Sequence, residues 1–496
     1  LNNSWLVLLP ILFPFGGAAL GYLLRKQPRF QVILTVISIL LALVSSMVLL
    51  FQVVSTNQPV VFQVGRWIAP AGITIIGDHL ASYLVVMSQL VLAGGVLYAT
   101  GCRDKCVHYP AFYPLFLLLS TGLTGAFLTG DLFNLFVFAE LMVISGAALT
   151  SISDDRYGVE AAYKYFYISL LASMFLLLAC GALYTTYGTL NMADLSRQIQ
   201  ISPDRPLTEL AMVLLLAFFM VKSAVTPFHF WQPDFHTAAP TPVHAVLSSV
   251  VVKLGIYGFI RMITLFFPDQ APTIRQLLVL LGCTGIFLGG LGAIGTYDAK
   301  RMLAYSTLGQ IGFILVGIGW GTPLSLAAAL IYTFNHSLIK SAMLMLAGAI
   351  TSRASVKSAS FNILIGVGKA NPAAGVLFFI GGLALAGIPP TNGFISKYVL
   401  FSSGIDAEAF LSLAIVGMTS LITIIYIIRS FMKIWWESPT QGAQTKPQGD
   451  RLIIPALLIL LCLLLGLWAE PIIHLSQQIV TWLANPDLYI HSVLGG

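Results

Sequence analysis

Apolar runs of about 20 residues, each long enough to cross a bilayer as a helix, follow one another along the chain with only short polar joints between them. Inside hydrocarbon every backbone N–H and C=O needs a partner, which a helix supplies from within its own segment. The expected fold class is therefore all-α: a polytopic integral membrane protein of about 14 transmembrane helices. The runs are 5–24, 31–54, 80–100, 111–129, 132–151, 162–187, 208–228, 242–267, 276–296, 301–320, 323–349, 373–399, 409–433 and 452–473. They leave no room for a soluble domain, so 1–496 reads as a single integral membrane domain. Charged residues make up 9% of the chain, against about 25% in soluble proteins.

Basic residues orient the spans. Loops after odd-numbered spans carry sixteen Lys and Arg residues, and the opposite side, with its membrane-end positions, carries five. By the positive-inside rule both termini face away from the cytoplasm. This distribution accounts for the net charge of +6 without an anionic partner, and no nucleic acid binding is expected. The stretch 434–451 reads as a flexible cytoplasmic loop, with Trp435 and Trp436 in an interfacial belt. The amino terminus reads as a retained first span rather than a signal peptide. A Leu at position 1 fits either a trimmed Met or an alternative start codon.

Cys180, Cys283 and Cys462 lie in apolar runs as small hydrophobes, and no disulfide framework is implied. Cys102, Cys106 and His108 offer three ligands where a structural zinc needs four, so no metal site is expected. No nucleotide-binding glycine motif or nucleophile elbow occurs. We expect no cofactor and a transporter subunit rather than an enzyme.

Four basic residues, Lys222, Lys253, Lys340 and Lys397, lie inside spans. So does one acid, Glu140, in the stretch TGDLFNLFVFAELMVISGAALT. Ten residues on either side reach about 15 Å at the helical rise, which puts its carboxyl near the bilayer midplane. A charge there costs roughly 2.5–3.5 kcal/mol on insertion scales, so it faces the bundle interior and has a partner or a task. A purely structural ion pair is the competing reading.

Two spans are broken beside their lysines. In span seven, Pro227 follows Lys222 by five residues and has no N–H for the Ser223 carbonyl. In span twelve, Pro389 and Pro390 release the carbonyls of Leu385 and Ala386, and Lys397 follows. Ordinary proline kinks would look similar, but paired interruptions in two halves of a chain point to a transport site. Span eleven places His336 and Lys340 on one face, and Gly255 and Gly258 beside Lys253 permit close helix approach. Little is claimed for Ser306 and Gln310, which share a face of span ten. A lysine releases its proton more readily on desolvation and holds it more tightly beside a carboxylate, so a Glu140 and Lys222 pair can switch protonation with separation or hydration. Spans four to eight (about 111–267) and nine to thirteen (about 276–433) read as two five-helix repeats, and an odd helix number inverts the second against the first.

At these residues the chain resembles the antiporter-like family shared by Mrp-type sodium/proton antiporters and the membrane arm of respiratory complex I. The segments GAFLTGDLFNLFVFAELM, GTLNMADL, KLGIYGFIRMITL and ALAGIPPTNGFISKY carry the resemblance and place it on the Mrp side of the family. The resemblance implies a proton relay: Glu140 and Lys222 as the essential acid and lysine, Lys253 as the connecting lysine, His336 and Lys340 as the span-eleven relay, Lys397 as the terminal lysine. It also implies partner subunits of an antiporter complex in the bacterial cytoplasmic membrane, with H+ and Na+ or another monovalent cation as cargo. Complex I subunit M typically has Glu where Lys397 stands, and Asn335 replaces a second histidine of some relatives. The alternatives are a pumping subunit of an NADH- or ferredoxin-linked respiratory complex, and a scaffold subunit without transport. Retention of all six axis residues argues against the scaffold.

Overall fold

A computed structural model describes residues 4–153, 155–203, 205–354, 358–438, 446 and 448–495. In chain order the helices begin with α1 (Ser4–Leu23), α2 (Pro28–Thr56), α3 (His79–Ala99), α4 (Phe112–Leu128), α5 (Leu132–Ser151) and α6 (Arg156–Tyr187). The amphipathic α7 (Met192–Ile201) precedes α8 (Thr208–Lys222), α9 (Trp231–Ala238) and α10 (Thr241–Phe266). There follow α11 (Ala271–Gly295), α12 (Ala299–Trp320), α13 (Pro323–Thr351), α14 (Pro372–Ala386), α15 (Asn392–Asp406) and α16 (Phe410–Trp436). The chain closes with α17 (Ile453–Leu467), α18 (Glu470–Leu483) and α19 (Pro486–Leu494).

Among the described residues nine helices are long and apolar enough to cross a membrane alone, or ten if α17 and α18, bent by 77°, count as one span. The remaining expected spans are helical but short, polar at their centre, or broken: α4, α13, α8 with α9, and α14 with α15. The exact count of fourteen therefore rests on more than length and hydropathy. The last apolar run, expected to continue to 473, bends after Leu467. An antiparallel hairpin of β1 (Val60–Gln63) and β2 (Thr74–Gly77) also departs from the all-helical expectation. Most of the 434–451 loop lies outside the described residues. Trp435, expected at the interface, is instead packed inward with its ring 5.0 Å from Phe378.

Aspartates start several helices. Asp78, Asp131 and Asp298 accept from the N–H three residues on, at 2.8, 2.8 and 2.9 Å. Each such cap is worth about 1 kcal/mol. Two of them mark the repeat. Asp131 bridges to Asn191 beyond α6, and Asp298 bridges to Ser360 beyond α13. Both five-helix units end in a π-helical turn, Met262–Phe266 and Met432–Trp436.

The two units run in opposite senses. Asn191 reaches Thr74 of the hairpin at 3.0 Å, so Asp131 lies at the hairpin end of the bundle. From there α5 runs about 30 Å at 1.5 Å per residue and hands over to α6, whose Lys164 lies 3.5 Å from Asp234. Arg301, in the turn that Asp298 caps, lies 2.9 Å from the same Asp234. Equivalent caps thus occupy opposite ends, as the odd helix number requires. Close approach carries the packing: a Cβ on Gly258 would stand 2.1 Å from the Phe219 ring, which lets α10 lie directly on α8.

Candidate functional site

α8 stops at Lys222, and the chain passes through Pro227 before α9 begins. The lysine is 4% exposed, and among the described residues its Nζ has no hydrogen-bond partner. The Phe218 ring lies 5.5 Å from it, one turn back. A cation in the last turn of a helix meets the negative end of the helix dipole, worth about 0.3–1 kcal/mol when exposed and more when partly buried. Glu140 is half-buried on α5 and accepts a hydrogen bond from Ser173 of α6. Among the described residues no ion pair within 4.0 Å joins it to Lys222, although its charge bears on that lysine. The two groups therefore act on one another through space, with Ser173 as the acid's direct partner.

Lys253 on α10 meets His336 on α13, Nζ to Nδ1, at 2.9 Å. Both are buried. The other ring nitrogen, Nε2, has no partner among the described residues. His336 also lines a cavity of about 10 Å3 with Gln310, Tyr332, Gly393 and Ser396, roughly the space of one water. Lys340, one turn along, points elsewhere: it donates to the Leu303 carbonyl at 3.0 Å and to Ser306 Oγ at 2.8 Å. The shared face of His336 and Lys340 thus serves two branches. Ser306 continues to the Tyr426 hydroxyl at 2.8 Å, and Gln310 accepts from Tyr332 at 2.6 Å. These two α12 residues, read from sequence as ordinary interhelical contacts, belong to the network.

The break between α14 and α15 supplies the far end. Lys397 donates to the Ala386 carbonyl at 2.8 Å, the acceptor that Pro390 leaves without a backbone donor. The Phe313 ring lies 5.3 Å from its ammonium. Asn335, the residue before His336, holds the break in place. It donates to the Asn392 carbonyl at 3.1 Å and to Ser396 at 2.9 Å, and accepts from Asn392 at 3.1 Å.

Sequence reasoning passes over His236 and His244. The stretch around His236 reads as a loop in sequence, yet it forms α9, and both imidazoles are buried. Their rings stack at 5.7 Å, and none of the four nitrogens has a partner among the described residues. Two histidines eight residues apart on either side of Ala239–Pro240 offer no periodic signal.

The structures and sequences of known proteins agree with this architecture. Residues 129–423 match the family model described as NADH:quinone oxidoreductase/Mrp antiporter, TM. The Na(+)/H(+) antiporter subunits D of Alkalihalophilus pseudofirmus and Bacillus subtilis are each 32% identical, with 100% of both chains covered. NADH-quinone oxidoreductase subunit N of Desulforudis audaxviator is 33% identical over 96% of each chain. A chain of the Mrp complex from Dietzia sp. superposes with a TM-score of 0.91 at 26% identity, covering 99% of both chains. One from the membrane-bound sulfane sulfur reductase, an archaeal respiratory membrane complex, gives 0.90 at 28% identity, covering 99% of this chain and 100% of that one. With a matching family model over more than half its length and full-length relatives above 30% identity, the chain belongs to the NADH:quinone oxidoreductase/Mrp antiporter membrane family.

Proposed function

We propose that the chain is the proton-translocating membrane subunit of a multisubunit monovalent cation (Na+)/proton antiporter. Protons are relayed along Glu140, Lys222, Lys253, His336, Lys340 and Lys397. The observation that supports this most is the 2.9 Å contact between Lys253 and His336. Taking the repeats as about 111–267 and 276–433, that contact joins the last helix of the first to a central helix of the second. A proton held near Lys222 then has titratable groups leading to the second half. Breaks at Pro227, Pro389 and Pro390 set Lys222 and Lys397 beside interrupted helices, where irregular backbone at membrane depth is tolerated if it is buried or lines a watered cavity.

The partners are the other subunits of an Mrp-type complex, as the names of two full-length relatives suggest. The setting is the lipid bilayer of the bacterial cytoplasmic membrane, with both termini on the non-cytoplasmic side. Proton flux driven by Na+ in vesicles carrying the complete complex, compared with vesicles lacking this chain, tests the assignment; equal flux in both overturns it. A second reading, a pumping subunit of a respiratory complex, draws on the 33% identity to an NADH-quinone oxidoreductase subunit N. Identifying the chains that copurify with this one separates the two.

A further inference from the structure

Where α10 ends and α11 and α13 begin, the hairpin end of the bundle holds a cleft of about 110 Å3. Its walls are apolar, formed by Ile263, Ile318, Leu326 and Val480, while Arg275 and Thr322 supply its polar edge. Arg275 is half-exposed, but its Nε is buried, and among the described residues its guanidinium has neither ion pair nor hydrogen bond. Other arginines of this end are partnered: Arg261 with Asp78 at 2.7 Å, Arg197 with Asp194 at 2.7 Å, Arg205 with the Thr186 carbonyl at 3.0 Å.

The position of the guanidinium is specific. Gly321 has φ +77°, and a Cβ there would stand 3.1 Å from Arg275 Nη1, so the charge lies against the turn that leads into α13. That helix is 29 residues long and capped by Thr322. Its amino terminus carries the positive end of the helix dipole. A fixed cation against a positive helix end is repulsive, and no carboxylate lines the cleft to offset it. An anion would. The apolar walls beside the same charge add a second requirement, a hydrocarbon portion attached to that anion.

We propose that this cleft is a binding site for a phosphate-headed anionic lipid, with the phosphate against Arg275 and the Thr322 end of α13 and an acyl chain along the apolar walls. The cleft lies at the end of membrane-spanning α10 and the start of α11, the level at which lipid headgroups meet helix termini.

The test uses the assembled complex in phosphatidylcholine nanodiscs titrated with phosphatidylglycerol, bound lipid being counted by native mass spectrometry. One arginine near an anionic surface contributes about fivefold in affinity, so Arg275→Gln should bind phosphatidylglycerol about fivefold more weakly while Arg275→Lys keeps most of it. Val480→Trp, which fills the cleft and leaves the charge, should expel the lipid. Inorganic phosphate at matched concentration separates the two sources of the anion. If it saturates the wild type as readily as the lipid does, or if Val480→Trp binds lipid normally, the acyl-chain assignment is overturned. Unchanged lipid binding by Arg275→Gln overturns the site. Should Arg275→Gln fail to assemble, the pair of Arg275→Lys and Val480→Trp decides: lipid kept in the first and lost in the second supports the proposal, and any other pattern overturns it.

Discussion

Replacing Lys397 by methionine separates holding a proton from holding the fold. Its ammonium donates at 2.8 Å to the Ala386 carbonyl, and the side chain is 6% exposed. Methionine keeps the length and apolar stem but removes the donor, leaving a buried carbonyl unsatisfied at a cost of about 1–3 kcal/mol. It also removes a buried cation whose effective desolvation penalty is several kcal/mol. The two effects oppose one another, so the net change in stability should stay within about 2 kcal/mol in either direction. Transport has no such compensation. A positioned proton donor or acceptor contributes on the order of 100-fold or more to a transfer step, and flux should fall by at least that factor. Lys397→Arg sharpens the experiment, because a guanidinium keeps the charge and can still donate to Ala386 yet does not release its proton in a protein. Proteoliposomes carrying each assembled variant, read with an internal pH-sensitive dye under a Na+ gradient, should show near-normal assembly and no antiport for both. Wild-type flux in either variant would refute the reasoning and reduce Lys397 to a cap for the broken helix.

Glu140→Gln should assemble and lose antiport, since glutamine still accepts from Ser173 but neither titrates nor carries charge; wild-type antiport by the assembled variant would sink the role of the acid. Gly258→Val should lower the melting temperature of the complex, because its Cβ would meet the Phe219 ring at 2.1 Å and such overpacking costs about 1–3 kcal/mol. An unshifted melting temperature would show that α8 and α10 are not in close contact. For topology, a cysteine at Gln448 should need a membrane-permeant reagent in intact cells and one at Gly495 should react with an impermeant reagent; labelling of both from one side would break the span count.

The ends that this labelling distinguishes lie on one helix. Asp450 accepts from Tyr98 at 2.7 Å near the last turn of α3, and Trp482 stacks on His79 at its first, with ring centroids 5.1 Å apart. The 21 residues between those contacts span about 31 Å. Hydropathy alone exposed this framework, because an apolar run of membrane length has few other uses. Lys222, Lys253, Lys340, Lys397 and Glu140 stood out for a related reason: a charge inside such a run needs an explanation. Partner choice was not legible in the same way. Lys340 bonds Ser306 across 34 residues of sequence, and no local pattern chooses Ser306 over the other hydroxyls of α12. His236 escaped because FHFWQPDFHTAAPTP has the prolines and polar residues of a loop, although tertiary packing makes it a buried helix. The bend after Leu467 was hidden for the opposite reason, since the apolar run continues past it.

The two broken spans also explain why the repeats do not align residue by residue. In sequence the lysine precedes the proline in one and follows it in the other. In space both lysines are associated with the carboxyl-terminal end of the first half-helix. Lys222 is the last residue of α8, and Lys397 reaches back from α15 to Ala386, the last residue of α14. That end carries the negative pole of the half-helix dipole and carbonyls without intrahelical donors. An ammonium is favoured there whichever side of the break its Cα comes from. What the repeat preserves is the electrostatic position of the cation rather than its place in sequence. The difference has a consequence for the protons they hold: Lys397 has a carbonyl to hold it, whereas Lys222 has no hydrogen-bond partner among the described residues and answers to the distant charge of Glu140. Lys222 is therefore the member of the pair whose protonation a movement of α5 against α8 can change.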